Sequence, residues 1–364
     1  MRTRRRAVVA VLAAALLTMP LAACGGDEKA AGEGFTVGLL LPSRMVPRWE
    51  HADRPLIEAQ VRKLCPGCRT EYANAENDVT RQRQQMISMI TKGARVLILD
   101  AADTRALRSS IQEADRAGVP VIAYDRLAEG PITGYVGFDG LMVGRLQGEA
   151  LLKALGLKAG QRAGSDNVVM MNGDPTSPNA ESYRKGALSV LTGEVRIARS
   201  YNTPDWSTQN AHTNMNAAIA ALGPDRIDAV LAANDNIAAG VVAALKSAGV
   251  TDLPPVTGQD ADLDAVRRVV KGEQYMTVYK PFAKEAAAVA AMAVAVGRGE
   301  DPRDSATTTV DSPTTKRIPA VLLQPRPVTA RDIERTLVKG GLYTTGQICT
   351  RELLTACARA GLTR

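Results

Sequence analysis

The chain has 364 residues, of which 45% are hydrophobic and 23% charged, which is ordinary for a globular protein and long enough for two domains. Its formal net charge of +7 includes four arginines within the first six residues. Because no acidic residue lies in residues 1–23, removing that stretch leaves a charge of +3. This modest charge argues against a nucleic-acid-binding surface.

The first 23 residues predict a secretory signal, because a basic start precedes an apolar run that is too short and too interrupted to span a bilayer. The run ends in Leu-Ala-Ala-Cys24-Gly, which resembles the lipobox of bacterial lipoproteins. The resemblance implies that Cys24 is lipidated and anchors the protein to the outer face of the cytoplasmic membrane. A plain secretory signal with a nearby cysteine is the alternative. Residues 24–34 predict a flexible tether.

From Phe35 onward, short apolar runs alternate with amphipathic segments. Ten runs predict strands in two series of five: Phe35–Leu41, Arg69–Ala73, Arg95–Asp100, Val119–Tyr124 and Ile132–Gly137, then Asn167–Asn172, Arg196–Tyr201, Ala229–Ala232, Val256–Gln259 and Met276–Tyr279. Helices are predicted over Asp78–Lys92, Ala106–Ala117, Leu141–Leu155, Ala180–Leu191, Asn210–Leu222, Ala238–Ala248, Leu263–Lys271 and Ala283–Val296. Regular strand–helix alternation indicates parallel sheets covered by helices, and the two series indicate two lobes.

The five cysteines of an exported chain are an odd number, and lipidation of Cys24 leaves four. Cys65 and Cys68 form one local pair, in Cys-Pro-Gly-Cys, and Cys349 and Cys357 form another. Two short-loop disulfides are the simplest account in an oxidising compartment. A zinc ribbon would need a second Cys-x-x-Cys, which the sequence lacks. A thioredoxin-like redox centre at Cys-Pro-Gly-Cys stays open.

Several predicted strands end on residues that make directed hydrogen bonds. These ends are Tyr124-Asp125-Arg126, Asn234-Asp235, Gln259-Asp260 and Tyr279-Lys280. Open α/β sheets bind ligands beyond the carboxyl ends of their strands. An aspartate accepts hydrogen bonds through its two carboxylate oxygens, and a neighbouring arginine donates them through the planar guanidinium group. This pair of groups suits two adjacent hydroxyls of a sugar. Trp49 and Trp206, in loops after other strands, offer flat faces, so the pattern predicts a sugar site.

At this point the chain resembles the periplasmic sugar-binding proteins of ABC transporters, especially the D-xylose-binding and multiple-sugar-binding members. The resemblance covers about residues 35–354 and rests on Pro-Arg48-Trp49, Thr91-Lys92-Gly93-Ala-Arg-Val-Leu-Ile, Ala-Tyr-Asp125-Arg126, Asn234-Asp235, Gly258-Gln259-Asp260-Ala-Asp262 and Thr277-Val-Tyr-Lys280-Pro281. It implies a type I periplasmic-binding-protein fold, in which two Rossmann-like lobes joined by a three-strand hinge close on the ligand. Crossovers near Phe138, Lys280 and Ala320 then define an N-terminal lobe (residues 35–138 and 281–320) and a C-terminal lobe (residues 139–280 and 321–364).

The resemblance also implies which side chains contact the sugar. They are Arg48, Asp125 and Arg126 from the first lobe, Asn179, Asn234, Asp260 and Lys280 from the second, and Trp49 and Trp206 against the ring. In one departure, Ser177 stands where the xylose-binding pattern has an aspartate. With Arg48, Arg126 and Lys280 facing only Asp125 and Asp260, this serine leaves about one positive charge uncompensated. Either a nearby acid such as Asp174 supplies the balance and the sugar is D-xylose or a related pentose or hexose, or an acidic sugar supplies the missing anion.

The combined prediction is a monomeric solute-binding lipoprotein, without cofactor, metal or nucleic-acid partner, that delivers a monosaccharide to an ABC permease and its ATPase. An enzyme is not indicated, since catalytic and phosphate-binding motifs are absent and His51 and His212 lie in polar, helix-like contexts. Cations near Asp125 and Asp260 would also deprive a glycosidase of its general acid. Lactose-repressor-type regulators share the fold but carry an N-terminal helix-turn-helix instead of an export signal. A receptor that reports sugar occupancy to a membrane sensor kinase stays open.

Overall fold

The structure, a computed structural model, describes residues 34–157 and 166–362. The predicted signal peptide, Cys24 and all of the tether except Gly34 therefore lie outside the described residues. The strands in the described part are β1 (Thr36–Leu41), β2 (Arg69–Asn74), β3 (Ala94–Leu99), β4 (Val121–Tyr124), β5 (Gly134–Phe138), β6 (Asn167–Asn172), β7 (Arg196–Asn202), β8 (Ala229–Ala232), β9 (Met276–Tyr279), β10 (Thr308–Val310), β11 (Ile318–Leu323) and β12 (Arg326–Thr329).

The α-helices in the same ranges are α1 (Arg54–Leu64), α2 (Val79–Thr91), α3 (Arg108–Arg116), α4 (Gly140–Ala154), α5 (Pro178–Leu191), α6 (Thr208–Leu222), α7 (Asp235–Ser247), α8 (Leu263–Lys271), α9 (Phe282–Gly297), α10 (Thr345–Ile348) and α11 (Leu354–Arg359). None of these helices combines the length and the apolar character that crossing a membrane requires.

Two mainly parallel sheets organise these elements. The first has the strand order β10-β11-β5-β4-β3-β1-β2, in which β10 alone runs antiparallel to its neighbour. The second has the order β7-β6-β8 and is extended through residues 256–258 to the antiparallel pair of β9 and β12. The prediction of two α/β lobes built on parallel sheets is confirmed.

The core explains why the central strands read as unbroken apolar runs. In β1, Val37 and Leu39 pack on one face of the sheet with Ile57 of α1, whereas Leu40 packs on the other face with Met86 of α2. A strand covered by helices on both faces must be apolar at consecutive positions. The sequence Thr-Val-Gly-Leu-Leu-Leu accordingly shows no alternation of polar and apolar residues.

One predicted strand is wrong. The segment Val256–Gln259 forms only a single bridge to β8 in the structure. The hydroxyl of Thr257 accepts a hydrogen bond from the N–H of Ala232 at 2.9 Å and donates to its carbonyl at 3.0 Å. A side chain thus replaces the backbone bonds that would extend the ladder, although the segment still lies between β8 and β9.

The chain passes between the two sheets after β5, after β9 and between β11 and β12. The sequence places the third crossover near Ala320, but β11 pairs with β5 through Leu323. The third passage therefore follows Leu323. With this shift, β11 belongs entirely to the first sheet.

The structure joins Cys65 to Cys68 just after α1 and Cys349 to Cys357 near the C-terminus. The second pair lies in residues 342–362, which we call the C-terminal segment. Ile348 and Leu353 of this segment pack against Val266 of α8. The C-terminal segment is therefore built onto the helix that follows the Asp260 strand end.

Candidate ligand-binding site

A small cavity with about 20 Å³ of free space lies at the carboxyl ends of β4, β8 and β9, and we call it the central cavity. Its lining residues are Val46, Trp49, Asp125, Arg126, Asn179, Tyr183, Trp206, Asn234, Gln259, Asp260 and Lys280. They come from both lobes, and eight of the ten residues predicted to contact a ligand are among them. Val46, Tyr183 and Gln259 were not predicted.

Asp125 is held by donors from both lobes. One carboxylate oxygen, Oδ2, accepts from Arg48 Nη1 at 2.8 Å and from Lys280 Nζ at 3.0 Å. The other, Oδ1, accepts from Asn179 Nδ2 at 2.7 Å. Burial alone would raise the pKa of Asp125, but the charges of Lys280 and Arg48 outweigh it and hold that pKa well below its usual range. Asp125 is therefore a carboxylate at any physiological pH.

Arg126 lies beside Asp125 but has different partners. Its Nη1 donates to the carbonyl of Ala101 at 2.9 Å, and its Nε lies 3.4 Å from Oδ1 of Asp100, at the end of β3. The residues that follow β3 thus fix the orientation of the Arg126 guanidinium group. Burial raises the pKa of Asp100 even though Arg126 opposes that effect.

The second lobe contributes a matching carboxylate. Oδ1 of Asp260 lies 3.2 Å from Lys280 Nζ, so this single ammonium group bridges Asp260 and Asp125. No described residue forms a hydrogen bond with the same oxygen. Asn234 caps α7 by accepting from the N–H of Ile237 at 3.0 Å, which fixes its side chain at the cavity wall.

Two indole rings complete the walls. Trp206 is 7% exposed and meets Tyr183 edge to face, with ring centroids 6.2 Å apart. Trp49 is 3% exposed, and the guanidinium of Arg48 lies 4.1 Å from its ring centroid. Neither indole nitrogen has a hydrogen-bond partner within the described ranges. The cavity therefore combines flat apolar faces with donors and acceptors, a combination suited to a ligand that has C–H faces and several hydroxyls.

A family model described as the periplasmic binding protein domain matches residues 37–301. The chain belongs to the periplasmic binding protein family.

Similar proteins cover nearly the whole chain. It is 34% identical over 355 residues to the multiple sugar-binding periplasmic protein SbpA of Azospirillum brasilense, a match that spans 92% of this chain and 97% of the relative. It is 32% identical over 336 residues to the D-xylose-binding periplasmic protein of Haemophilus influenzae, with 91% and 97% covered. A solved ABC transporter solute-binding protein from Clostridium phytofermentans with bound β-D-glucose has a TM-score of 0.79 and 31% identity, with 86% of this chain and 99% of that chain covered. The predicted type I periplasmic-binding-protein fold is confirmed.

Arg48 of this periplasmic binding protein supports the cavity from outside. It is 2% exposed and is not among the described lining residues. Its Nε and Nη2 donate to the two carboxylate oxygens of Asp53 at 2.9 and 2.7 Å, and Nη2 also donates to Glu285 at 2.8 Å. With Nη1 on Asp125, the whole guanidinium is engaged. Nη1 of Arg48 thus contacts two residues of the cavity wall, Asp125 at 2.8 Å and Asp260 at 3.5 Å.

The predicted excess of positive charge is wrong. Arg48 faces Asp53 and Glu285 as well as Asp125, and Arg126 faces Asp100. These three carboxylates are buried, and none was predicted from the sequence. Because Arg48 pairs with Asp53 as well as with Asp125, the protein itself supplies the third carboxylate that the count lacked, and the site needs no anionic group from its ligand. The charge count therefore no longer supports an acidic sugar as the ligand.

Ser177 lies apart from the central cavity of this binding protein. It is the N-cap residue of α5 and lines an adjoining groove together with Thr104 and Asn202. Asn179, two residues further, does line the cavity. Residues two apart at a helix start point to widely different sides. The expectation that position 177 faces the ligand does not fit this placement.

Proposed function

We propose that this periplasmic binding protein captures a neutral monosaccharide in the central cavity and delivers it to an ABC permease with its ATPase. The observation that carries the proposal is the pair of carboxylates, Asp125 and Asp260, on opposite lobes and bridged by Lys280. Sugar hydroxyls donate to carboxylates and accept from ammonium, guanidinium and amide groups. The relatives named for binding multiple sugars and D-xylose, and the similar solved structure with bound β-D-glucose, support the same ligand class.

The lining of the cavity supports a single sugar ring. The free volume in this structure, about 20 Å³, is well below the roughly 300 Å³ of a small-molecule pocket, so a sugar enters only when the two lobes move apart. Two indole rings together with charged and amide groups match the C–H faces and hydroxyls of D-xylose or a closely related pentose or hexose. A neutral sugar is favoured because Arg48 already pairs with Asp53 and Asp125, and Lys280 with Asp125 and Asp260.

Binding without chemistry is part of the proposal. A glycosidase needs one carboxyl group that is protonated near neutral pH. Three donors, two of which are cations, hold Asp125 in its ionised form, with a pKa well below the usual range. The cavity is thus suited to hold a sugar unchanged.

A screen of ligands tests the function. We expect D-xylose, D-glucose or D-galactose to raise the melting temperature of the purified mature protein, while D-glucuronate and adenosine leave it unchanged. A ligand that binds only the folded state stabilises it by about 2.7 kcal/mol at a hundredfold excess over Kd. Calorimetry then gives the affinity. Stabilisation by adenosine or glucuronate alone would contradict a neutral-sugar site.

Uptake assays separate delivery from sensing. Loss of the partner permease should abolish uptake of the labelled sugar, and so should loss of the binding protein. A receptor for a sensor kinase would instead leave uptake intact when it is deleted. We infer a monomer that acts in transport.

We further propose that Cys24 carries a lipid anchor and that the other four cysteines are paired as Cys65–Cys68 and Cys349–Cys357. The sequence Leu-Ala-Ala-Cys24-Gly supports the anchor, and the short distances within each cysteine pair support the disulfides. Cys24→Ala should move the protein from the membrane to the soluble fraction. Mass spectrometry of the non-reduced protein should find no free thiol among the four. Unchanged fractionation, or a free thiol, would contradict the respective assignment.

A further inference from the structure

The two carboxylates of the central cavity lie on unusual backbone. Asp125 has φ 54°, Asp260 has φ 104° and Ala261 has φ 56°. Residues other than glycine adopt positive φ rarely, and they keep it only where surrounding contacts determine the conformation. Each aspartate therefore needs groups that hold its turn in place.

At the first turn, a tyrosine hydroxyl supplies such a contact. Tyr135 of β5 donates from its hydroxyl to the carbonyl of Asp125 at 2.8 Å. The side chain is 4% exposed, so this bond is buried. Gly137 makes room for it, because a Cβ at position 137 would overlap the Tyr135 hydroxyl.

At the second turn, a tyrosine from a different part of the chain does the same. Tyr343 donates from its hydroxyl to the carbonyl of Ala261, the residue after Asp260, at 3.1 Å. Tyr343 belongs to the C-terminal segment, which the Cys349–Cys357 bond closes. The segment is also tied to α8, since Arg267 donates to the carbonyl of Gln347 at 2.7 Å.

Both hydroxyls are donors at neutral pH, because burial raises the pKa of Tyr135 and of Tyr343. Neither tyrosine is among the described residues that line the central cavity. Neither tyrosine would therefore contact a ligand in the cavity directly. Each hydroxyl instead binds the backbone of the turn that carries Asp125 or Asp260.

We propose that Tyr135 and Tyr343 are positioning residues that fix the carboxylates of Asp125 and Asp260 for the ligand. The proposal rests on the proposed sugar-binding function. It also gives the C-terminal segment a role, since that segment carries the hydroxyl that holds the Asp260 turn. Without the tyrosine hydroxyl, the carbonyl of Asp125 keeps, among the described residues, only Asn179 Nδ2 at 3.3 Å. Ala261 keeps the bond from its N–H to the Thr277 hydroxyl at 3.1 Å. Each carboxylate is then held less firmly in the position that the other lobe requires.

Phenylalanine variants test the proposal, because they remove only the hydroxyl. We expect Tyr135→Phe and Tyr343→Phe to raise the Kd for D-xylose or D-glucose about five- to tenfold in calorimetry, the effect of losing one buried hydrogen bond. Tyr275→Phe, a matched change in the second lobe outside the cavity lining, should stay within about twofold of wild type. In an Asp260→Asn background, Tyr343→Phe should add little further loss, because it acts through Asp260.

A measurement without ligand makes the test independent of the sugar. Hydrogen exchange should become faster in peptides covering residues 121–128 of Tyr135→Phe and residues 256–263 of Tyr343→Phe, and not in the Tyr275→Phe protein. Unchanged exchange, or unchanged Kd values in a protein that binds sugar, would overturn the positioning role. Additive losses in the Asp260→Asn background would overturn it as well. A wild-type protein that binds no sugar would instead contradict the proposed function, while exchange still reports on the tyrosines.

Discussion

At the carboxylate of Asp125, donors from separate parts of the chain meet: Arg48 from the loop after β1, Asn179 from α5, and Lys280 after β9. This convergence links the two lobes through one buried anion. Its electrostatic balance depends on every partner remaining in place. Asp125 is therefore the residue at which a single substitution should affect ligand binding most.

Replacing Asp125 with alanine should remove measurable sugar binding. Truncating one member of a desolvated, hydrogen-bonded charge pair costs about 2–5 kcal/mol, or about 30-fold to several thousandfold in Kd. Calorimetry with D-xylose or D-glucose measures the loss, and Asp264→Ala, whose side chain is 81% exposed, is the control. Asp125→Asn keeps the volume and provides a second variant if the alanine protein folds poorly. Wild-type affinity in both would mean that the carboxylate does not contact the ligand.

Gly173 determines where the Trp206 ring lies, because a Cβ at this position would overlap the ring. Gly173→Ala should push the indole away from its place beside Tyr183, and sugar affinity should fall about tenfold, since the wall of the cavity is displaced. With only two tryptophans in the chain, the fluorescence response to sugar should change as well. Gly346→Ala is the control, since its Cβ would be 4.0 Å from the nearest atom. Equal affinity and fluorescence in both variants would contradict this role for Gly173.

At the scale of elements, the close packing of α4 on α5 places Asn179 and Tyr183 at the cavity. A Cβ at Gly144 of α4 would overlap the carbonyl oxygen of Tyr183, whereas one at Gly148 would lie 3.1 Å from the carbonyl oxygen of Ala187. The distance between α4 and α5 is therefore limited more strictly at Gly144 than at Gly148. The first is the tighter contact.

We expect Gly144→Ala to lower the free energy of unfolding by about 1–3 kcal/mol, because the helices must separate. Gly148→Ala should cost less, since a shift of a few tenths of an ångström accommodates its methyl group and alanine favours the helix. Urea unfolding of the two variants gives both values. Weaker sugar binding should accompany only Gly144→Ala. If Gly144→Ala is as stable as wild type, the helix contact is looser than the structure indicates.

Strands that are buried on both faces could be predicted from the sequence, because their apolar runs are unbroken. Helix α1 and the short elements after α9 could not. β1, β3 and β4 show apolar runs in the sequence, and the polar residues that follow β4, β8 and β9 include Asp125, Asn234 and Lys280, which line the cavity. Helix α1 was missed because only Ile57 and Val61 are its buried residues and its second residue is a proline. The elements after α9, including the C-terminal segment, are short and carry little periodic signal.

The buried charges of the site were harder to predict than its lining. Glu285 is separated from Arg48 by 237 residues and lies in the first turn of α9, where an acidic residue usually favours the helix dipole from the surface. Asp53 lies at the start of α1, in an equally ordinary context. Only the folded arrangement shows that both are partners of one guanidinium. Counting charges among the lining residues alone therefore gave the wrong balance.

At the scale of the whole molecule, several buried carboxyl groups link stability to pH. Burial raises the pKa of Asp235 to about 7, and it raises the pKa values of Asp100 and Glu285 as well. Asp235 accepts from Gln274 at 2.8 Å and from the N–H of Asp262 at 3.0 Å, beneath the Asp260 turn. In the pH range between the unfolded pKa of about 4 and the folded value of about 7, the folded protein binds protons that the unfolded chain has released.

The free energy of unfolding of the ligand-free protein should therefore fall as the pH rises from about 4 to about 7. Asp125 contributes to the pH dependence of stability with the opposite sign, because its pKa is lowered in the folded protein. This contribution is lost only below about pH 4, outside this window. Urea unfolding at pH 4.5, 5.5, 6.5 and 7.5 measures the slope. Asp235→Asn cannot titrate, so its slope should be shallower even if the variant is less stable throughout. Stability that increases across the window in the wild type would mean that Asp235 and its neighbours are ionised in the folded protein.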